Sequence, residues 1–297
     1  MSRDPIERSG FVFIGAGAVG TALAVLLRDE GMSIRAVASR RELSARRAAA
    51  ILGGAQVVED PVEAARLGLN IFISTPDETI REMAERLAQA KAVGRGCRVI
   101  HMSGAHGLEP LEPLRATGAW IGAFHPLQVF ASWERGRELI PGSTIGIEAP
   151  DEETRTYLFG LAARVGARPV AIPSGARALY HAGAVYASNY LVTVMSTAVE
   201  LLREAGLDSE ESLEMLMPLA RGALESITTE GDAARALTGP IVRGEIDVIR
   251  SHIAAIEAAL PKAIPLYNEL GKSALALARQ RREFRRDLES RLEELLS

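Results

Sequence analysis

Polar side chains that could do chemistry follow two apolar segments in the middle of the chain. One segment leads into His101-Met102-Ser103-Gly104, and the next leads into Phe124-His125-Pro126-Leu127. An imidazole with an ordinary pKa near ~6.5 can supply a proton to a developing alkoxide, and a serine hydroxyl can orient the substrate oxygen or the imidazole. We therefore treat His125 and Ser103 as catalytic candidates. The alternative is that each only bonds nearby backbone, and strand alternation leaves open whether His101 turns inward.

A second group of polar residues lies further along the chain. His181 and Ser188 are seven residues apart and so share one face of a helix, with Asn189 at its border. On an otherwise apolar helix they indicate either a wet cleft or a buried polar network. We count His181 as a third catalytic candidate, and Ser188 and Asn189 as substrate-binding candidates. Arg243 could bind an acidic substrate, or it could pair with a neighbouring glutamate.

A glycine-rich loop follows the first strand-like run and opens a helical segment. It matches the GxGxxG pattern, and this context makes the match specific. The first glycine permits a tight turn, the second lets a pyrophosphate approach the backbone, and the third lets the helix pack close to the strand. The helix N-terminus adds free N–H groups for phosphates. The alternative is a glycine turn without a ligand. The cofactor-binding candidates in this loop are Gly15, Ala16, Gly17, Ala18, Val19 and Gly20.

The end of the second predicted strand indicates which cofactor fits. NAD sites commonly have an acidic residue there, which binds the ribose hydroxyls. This chain has Ser39, Arg40 and Arg41 instead. A hydroxyl and two guanidinium groups suit a phosphate. We therefore predict NADP(H) rather than NAD(H), and the missing acid also argues against FAD. The alternative is that both arginines are solvated surface charges.

The fourth predicted strand is followed by Ser74-Thr75-Pro76-Asp77. This segment should lie beside the glycine loop, at the carboxyl edge of the sheet where ligands bind. We predict that Thr75 or Pro76 contacts the cofactor. An ordinary helix cap by Thr75 or Asp77 is the alternative interpretation, and both could hold at once.

Strand-like and helix-like segments alternate through the first part of the chain. This alternation predicts a parallel sheet with helices on both faces, that is, a Rossmann-type doubly wound α/β domain at residues 1–173. No strand is predicted after it, so residues 174–297 form an all-helical domain. The predicted strands cover residues 11–14, 34–38, 57–58, 70–74, 97–101, 120–124, 143–148 and 167–172.

The helical domain is predicted to begin with one long helix at residues 178–205. Asp208 should cap a second helix, which Pro218 interrupts or kinks. The last segment, residues 262–296, should be helical with a kink at Pro265. Its charged end carries a sparse leucine seam, which indicates either a solvated helix or an arm that packs on a second subunit. We expect a homodimer formed through the helical domain.

Composition narrows the function classes. The 297 residues suffice for two domains, since one domain takes about 150. A net charge of −4 provides no basic surface for nucleic acid or membrane. The single cysteine, Cys97, excludes a disulfide framework, and we predict no metal. No apolar run reaches the ~18 residues of a membrane span, and the first ten residues lack a signal-peptide core, so we expect a cytoplasmic protein.

Taken together, the motifs resemble those of bacterial Rossmann-like proteins with a DUF2520 C-terminal domain. The segments GAGAVG, HMSG, FHPLQVF, YHAGAVYASNYL and LTGPIVRGE occur in that order, and the resemblance covers residues 11–270. One departure is Glu245, where we expect the family pattern to have Asp. The resemblance implies relatives among pyrroline-5-carboxylate reductases, prephenate dehydrogenases, ketopantoate reductases and F420-dependent NADP oxidoreductases. By likeness to prephenate dehydrogenases, His125 would act on the substrate hydroxyl beside Ser103. The lysine that other relatives use has no counterpart, since no lysine lies between Lys91 and Lys262.

The first functional hypothesis is an NADPH-dependent oxidoreductase of a small polar substrate, a keto acid or a cyclic imine. His125 would supply the proton, while Ser103, His181, Asn189 and Arg243 would hold the substrate. A second hypothesis is a non-catalytic NADP(H)-binding redox sensor or regulator, which would need no proton donor. A third is transfer between NADP and a deazaflavin, which would need a broad apolar pocket.

Overall fold

The computed structural model describes residues 10–282 and 284–297. The chain divides into two compact units, residues 1–188 and 189–297. The predicted domain boundary between residues 173 and 174 stays a prediction. Most of the N-terminal segment in which we predict no signal peptide lies outside the described residues. In the described part of the chain, no helix combines the length and the apolar character that crossing a membrane requires.

Within the described residues, the first unit contains an eight-stranded sheet in the order β3-β2-β1-β4-β5-β6-β7-β8. Every residue of β1 and β4, the third and fourth strands in this order, is buried. Such continuous apolar runs are typical of strands covered by helices on both faces. The strands are β1 (Phe11–Ile14), β2 (Ile34–Ala38), β3 (Gln56–Val57), β4 (Asn70–Ile73), β5 (Arg98–His101), β6 (Trp120–Leu127), β7 (Thr144–Glu148) and β8 (Arg168–Ala171).

The two faces of the sheet carry separate apolar cores. Phe13 and Phe72 stack on one face with ring centres 5.2 Å apart, while Ile14 and Ile73 point to the other face. Each core includes residues of helices that cover its face, which confirms the predicted doubly wound α/β class. The helices of this unit are α1 (Ala18–Asp29), α2 (Glu42–Leu52), α3 (Pro61–Ala65), α4 (Ile80–Gln89), α5 (Trp133–Leu139), α6 (Glu152–Arg164) and α7 (Arg177–Val185).

The sheet differs from the prediction at β6. The described strand pairings are parallel except that β6 and β7 are antiparallel. The parallel pairing of β6 with β5 ends at Ala123, but antiparallel pairing with β7 continues to Leu127. The predicted strand ended at Phe124. The partner strand β7 thus extends β6 and holds His125 within a strand.

Acidic side chains cap two helices of the first unit. The Asp60 carboxylate accepts a hydrogen bond from the Val62 N–H at the start of α3, and the Asp151 carboxylate accepts one from the Thr154 N–H at the start of α6. Each bond satisfies a donor that has no partner inside its helix.

The second unit is helical in its described residues. The helix predicted at residues 178–205 is divided, because a π-helical segment, Tyr186–Tyr190, separates α7 from α8. Asp208 caps α9 as predicted, but α9 runs unbroken through Pro218. Pro265 lies in the first turn of α13, where a missing N–H removes no helical bond, so it causes no kink. These helices are α8 (Leu191–Glu204), α9 (Ser209–Glu230), α10 (Ala233–Ala236), α11 (Pro240–Arg243), α12 (Ile246–Ala259), α13 (Ile264–Ala278) and α14 (Glu289–Leu295).

The C-terminal segment is not the single helix that we predicted. α13 ends at Ala278, and a short 3₁₀ turn, Arg286–Leu288, precedes α14. Leu292 and Leu296 are fully buried in a cluster with residues of α12 and α13. The leucine seam is therefore covered by the same unit, and the hypothesis that it packs on a second subunit is wrong.

Candidate functional site

The ends of four strands line up along one edge of the sheet. Ile14 of β1 pairs with Ile73 of β4, which pairs with His101 of β5, which pairs with Ala123 of β6. These strands are parallel, so this is the carboxyl edge, where ligands bind in open α/β sheets. The glycine loop and the segments after β4, β5 and β6 all leave the sheet there.

The glycine loop requires glycine at two positions for different reasons. Gly15 has a φ of +114°, and a Cβ there would lie 2.5 Å from the Ser74 carbonyl oxygen. A Cβ on Gly20 would lie 2.2 Å from Ser74 Oγ, so a side chain would force α1 away from the strand end. By contrast, a Cβ on Gly17 would meet nothing within 4 Å. Gly17 therefore borders open space, as expected for a residue that a ligand approaches.

The first turn of α1 leaves its backbone donors available. Gly17 is the N-cap and supplies no side-chain bond, and the first turn contains no acidic residue. The unpaired N–H groups and the positive end of the helix dipole favour an anion here.

Ser39, Arg40 and Arg41 follow β2 beside this loop. Ser39 Oγ accepts a hydrogen bond from the Arg41 N–H at 3.3 Å. Both arginine side chains are exposed, and neither forms an ion pair within residues 10–282 and 284–297. Their guanidinium groups remain available to a phosphate or to solvent.

The segment after β4 differs from an ordinary helix start. Neither Thr75 nor Asp77 caps the following helix, because no side-chain cap bond occurs at the 3₁₀ turn Asp77–Thr79 or at α4. The Thr75 hydroxyl is buried and has no hydrogen-bond partner among the described residues. A buried hydroxyl without a partner is energetically unfavourable, so the Thr75 hydroxyl favours binding of a ligand that forms a hydrogen bond with it. Pro76 is exposed.

Ser103 organises the loop after β5. Its buried hydroxyl donates to the Asp77 carboxylate at 2.8 Å and accepts from the N–H groups of Ala105 and His106 at 3.1 Å each. His101 is buried below it and accepts from the Ser103 N–H, while its other ring nitrogen lies 2.5 Å from the Gly107 carbonyl oxygen. His101 therefore turns inward and has a structural role.

His125 and His181 converge above Gly104. A Cβ on Gly104 would lie 2.6 Å from His181 Nδ1 and 2.8 Å from His125 Nε2, so both nitrogens lie close to this glycine and to each other. The two rings meet edge to face with centres 6.0 Å apart. His181 Nδ1 is buried without a hydrogen-bond partner among the described residues. Imidazole nitrogens placed in this way can form hydrogen bonds with polar atoms of a small molecule.

A buried ion pair lies behind this site. The Arg177 guanidinium pairs with the Glu148 carboxylate at 3.3 Å, and both side chains are almost fully buried. Arg177 also donates to the carbonyl oxygens of Ser103, Ala123 and Gly146. It thereby joins the start of α7 to β6, β7 and the Ser103 loop, and it is not free to bind a substrate.

Two histidines at this edge, His125 and His101, have lowered pKa values that favour the neutral ring at pH 7. Burial is the main cause that lowers the pKa of His125 to about 4, and repulsion by Arg177 and His181 adds to it, while the Asp77 carboxylate opposes it. Burial likewise lowers the pKa of His101 to about 4, against the opposing bond to Gly107. Our expectation of a pKa near ~6.5 for His125 is wrong, because sequence spacing carries no information on burial or on the nearby cation.

Local contacts are described for two of the three predicted substrate-binding residues, Ser188, Asn189 and Arg243. Ser188 Oγ bonds the Ala184 carbonyl of its own helix at 2.7 Å. Arg243 is exposed and donates two hydrogen bonds to the Glu245 carboxylate, at 2.8 and 2.9 Å. This is the pairing with a neighbouring glutamate that the sequence left open as an alternative. Asn189 begins the second unit. Their roles toward a substrate stay predictions.

Three residues of this cluster were not predicted from the sequence: Tyr180, Arg177 and Glu148. The Tyr180 hydroxyl lies 2.9 Å from His125 Nδ1. The only available signal was that Tyr180 precedes His181. Consecutive residues on a helix point about 100° apart, so this adjacency did not predict that both reach His125.

Comparison with known proteins agrees with these observations. The model of the Rossmann-like domain matches residues 5–126, and the model of DUF2520, a domain of unknown function, matches residues 143–274. The resemblance drawn from the motifs is thereby confirmed. A search of curated proteins finds no match to this sequence.

Several solved structures share the fold. BF3122 of Bacteroides fragilis, a candidate NADP oxidoreductase, is 26% identical, with a TM-score of 0.76 over 91% of this chain and 99% of its own. A reductive aminase from Aspergillus terreus, solved with NADPH and ethyl-5-oxohexanoate, is 17% identical, with a TM-score of 0.59 over 97% of this chain and 92% of its own. A pyrroline-5-carboxylate reductase from Coxiella burnetii is 16% identical, with a TM-score of 0.57 over 97% and 98%. The last two show likeness of fold alone.

Proposed function

We propose that this chain, in which a Rossmann-like domain is followed by a DUF2520 domain, is an NADP(H)-dependent oxidoreductase of a small polar substrate, either a keto acid or a cyclic imine. The observation that carries this proposal is a juxtaposition at one sheet edge. The glycine loop follows β1, and the paired nitrogens of His125 and His181 lie above Gly104 in the segment after β5. The similarity to BF3122 supports the same reaction class.

The residues present fit a dinucleotide. Gly17 borders open space at an uncapped helix N-terminus, and the buried Thr75 hydroxyl has no partner among the described residues. The backbone of the glycine loop would hold the pyrophosphate. Ser39, Arg40 and Arg41 would hold the 2′-phosphate, and Thr75 and Pro76 would border the rest of the cofactor.

The chemistry divides between the cofactor and the chain. A bound nicotinamide ring supplies or accepts a hydride at the substrate carbon. His125 Nε2 and His181 Nδ1 bind the substrate oxygen or nitrogen on which charge develops. Their burial excludes water and strengthens these bonds. Ser103 contributes indirectly, because its bonds to Asp77 and to the following backbone N–H groups hold Gly104 below the two rings.

Cofactor preference tests the role of the arginines. In calorimetric titrations, NADPH should bind at least ~10-fold tighter than NADH, a difference of ~1.4 kcal/mol. The Arg40→Ala/Arg41→Ala variant should lose most of this preference by weakening NADPH alone. Arg47→Ala removes an exposed arginine from α2, the helix that follows Arg41, and should change neither affinity. Equal binding of both cofactors by the unchanged protein would overturn the NADP(H) assignment.

A homodimer through the helical unit is part of this proposal. None of the 14 residues of α8 is buried within the chain, and α9 exposes Leu213, Met215, Leu219 and Leu224. Apolar patches of this kind mark interaction surfaces. Light scattering should give about twice the chain mass of 31.8 kDa. Leu219→Glu should shift the mass toward one chain, whereas Leu67→Glu, an exposed leucine of the first unit, should not. A single-chain mass for the unchanged protein would reject the dimer.

A further inference from the structure

Tyr180 makes a contact that the proposed function leaves unexplained. Its hydroxyl lies 2.9 Å from His125 Nδ1, and the two rings meet at 88° with centres 5.7 Å apart. Tyr180 lies on α7 and His125 on β6, so the bond joins two elements that are distant in sequence. It engages the ring nitrogen that faces away from Gly104.

The direction of this hydrogen bond follows from the donors available. Burial raises the pKa of the Tyr180 phenol, so the hydroxyl keeps its proton at neutral pH. Among the described residues, His125 Nδ1 is the only hydrogen-bond partner of that hydroxyl. If Nδ1 carried the imidazole proton, it would donate to the tyrosine oxygen, and the tyrosine proton would lack an acceptor among the described residues. The arrangement that satisfies both groups has Tyr180 donating to Nδ1.

This arrangement decides where the neutral imidazole carries its proton. With Nδ1 acting as acceptor, the proton resides on Nε2, the nitrogen that lies close to Gly104. His125 can then donate a hydrogen bond to a substrate atom. To release that proton alone it would have to become an imidazolate anion, which is strongly unfavourable. A second proton source on the Nδ1 side removes this difficulty.

We propose that Tyr180 is a positioning residue that holds His125 in the Nε2–H form and replaces the proton that His125 gives to the substrate. This inference rests on the proposed function. As the substrate carbon gains a hydride, its double-bond electron pair moves to the oxygen or nitrogen. The Nε2–H bond breaks and the new O–H or N–H bond forms on the substrate. The Tyr180 O–H bond breaks and an Nδ1–H bond forms, so the imidazole stays neutral. The Nδ1–H bond then breaks as its proton returns to the Tyr180 oxygen, while Nε2 takes a proton from solvent water, and the starting tautomer is restored.

Arg177 supports the transient phenolate in this step. Its guanidinium carbon lies 5.6 Å from the centre of the Tyr180 ring, and its positive charge favours the ionised phenol. The ion pair with Glu148 and three carbonyl contacts keep this cation in place. Gly146 leaves room for the hydroxyl, because a Cβ there would lie 2.5 Å from the Tyr180 oxygen.

The first test measures the tautomer without substrate or cofactor. In ¹⁵N-histidine-labelled full-length protein, long-range ¹H–¹⁵N spectra distinguish protonated from unprotonated ring nitrogens, and the loss of one signal set in His125→Gln identifies His125 among the five histidines. We expect Nε2–H in the unchanged protein. Tyr180→Phe should move part of the population to Nδ1–H. Tyr267→Phe, which breaks a similar His–Tyr contact at His252, should leave the His125 signals unchanged. A proton on Nδ1 of the unchanged protein, or unchanged His125 signals in Tyr180→Phe, would overturn the inference.

The second test separates positioning from substrate binding. The assay uses NADPH and a substrate that the unchanged protein converts. Tyr180→Phe should lower kcat by about 10-fold to 100-fold, because loss of the partner that orients a functional histidine has effects of this size. The KM should change little. Unchanged kcat would reject the proton replacement even if the tautomer is as expected. If the unchanged protein turns over no substrate, the proposed function fails and the proton replacement fails with it, whereas the spectra still decide the tautomer.

Discussion

Replacing His125 by alanine is expected to lower kcat by about 10²–10⁴, the range that positioned proton-transfer groups contribute. His125 Nε2 lies close to Gly104 on the same side as His181 Nδ1, and we propose that it binds the substrate oxygen or nitrogen. The variant removes this donor and also disconnects Tyr180 from the site. The glycine loop and the arginines after β2 are untouched, so the Kd for NADPH should stay nearly the same. Steady-state kinetics with a substrate that the unchanged protein reduces give kcat, and calorimetric titration with NADPH gives the Kd.

The matched control is His252→Ala. His252 also contacts a tyrosine hydroxyl, with Nδ1 lying 3.0 Å from the Tyr267 oxygen, but it is exposed on α12. This variant loses the same kind of contact outside the proposed site and should keep full kcat. Undiminished turnover in His125→Ala would remove His125 from the mechanism and favour the interpretation of the protein as a cofactor-binding sensor.

Replacing Arg177 by methionine is expected to lower the free energy of unfolding of the first unit by about 3–5 kcal/mol. The substitution leaves the buried Glu148 carboxylate without its counter-ion, and three carbonyl oxygens lose a donor. Urea unfolding followed by tryptophan fluorescence reports this directly, because Trp120 and Trp133 both lie in the first unit.

Two further variants identify the cause of this loss. Arg243→Met breaks an exposed Arg–Glu pair in the second unit and should leave the urea midpoint unchanged, because water screens such pairs. Arg177→Met combined with Glu148→Gln removes both buried charges and should recover part of the lost stability. A double variant no more stable than Arg177→Met would show that the carbonyl contacts, and not the ion pair, account for the loss.

Much of the fold follows from short stretches of sequence. The runs FVFI and NIFI are apolar throughout, and only a strand buried on both faces needs such residues at every position. The glycine loop was equally predictable, since the tight turn and the close packing of α1 each need a residue without a side chain. The predicted cap by Asp208 depends on contacts within three residues. All of these features are local, so periodicity and spacing were sufficient to find them.

Features that depend on distant partners were not predictable in this way. β6 ends at Leu127 instead of Phe124 because an antiparallel neighbour, β7, supplies pairing that no local pattern encodes. The last helix, α14, is short and packs within the second unit, because Leu292 and Leu296 are buried against α12 and α13. The sequence alone did not predict this packing, because the charged residues around those leucines are equally compatible with a solvated helix.

The residue types of the candidate site were determined by the sequence, but their chemistry was decided by the tertiary structure. Spacing identified His125 and His181 as candidates on separate elements. Only the packing of α7 against the strand ends brings their nitrogens together above Gly104 and sets Tyr180 behind His125. Burial and the nearby Arg177 then lower the pKa of His125 to about 4 and make the ring neutral. Desolvation and charge–charge distance are properties of the folded chain, and for that reason they had no signature in the order of residues.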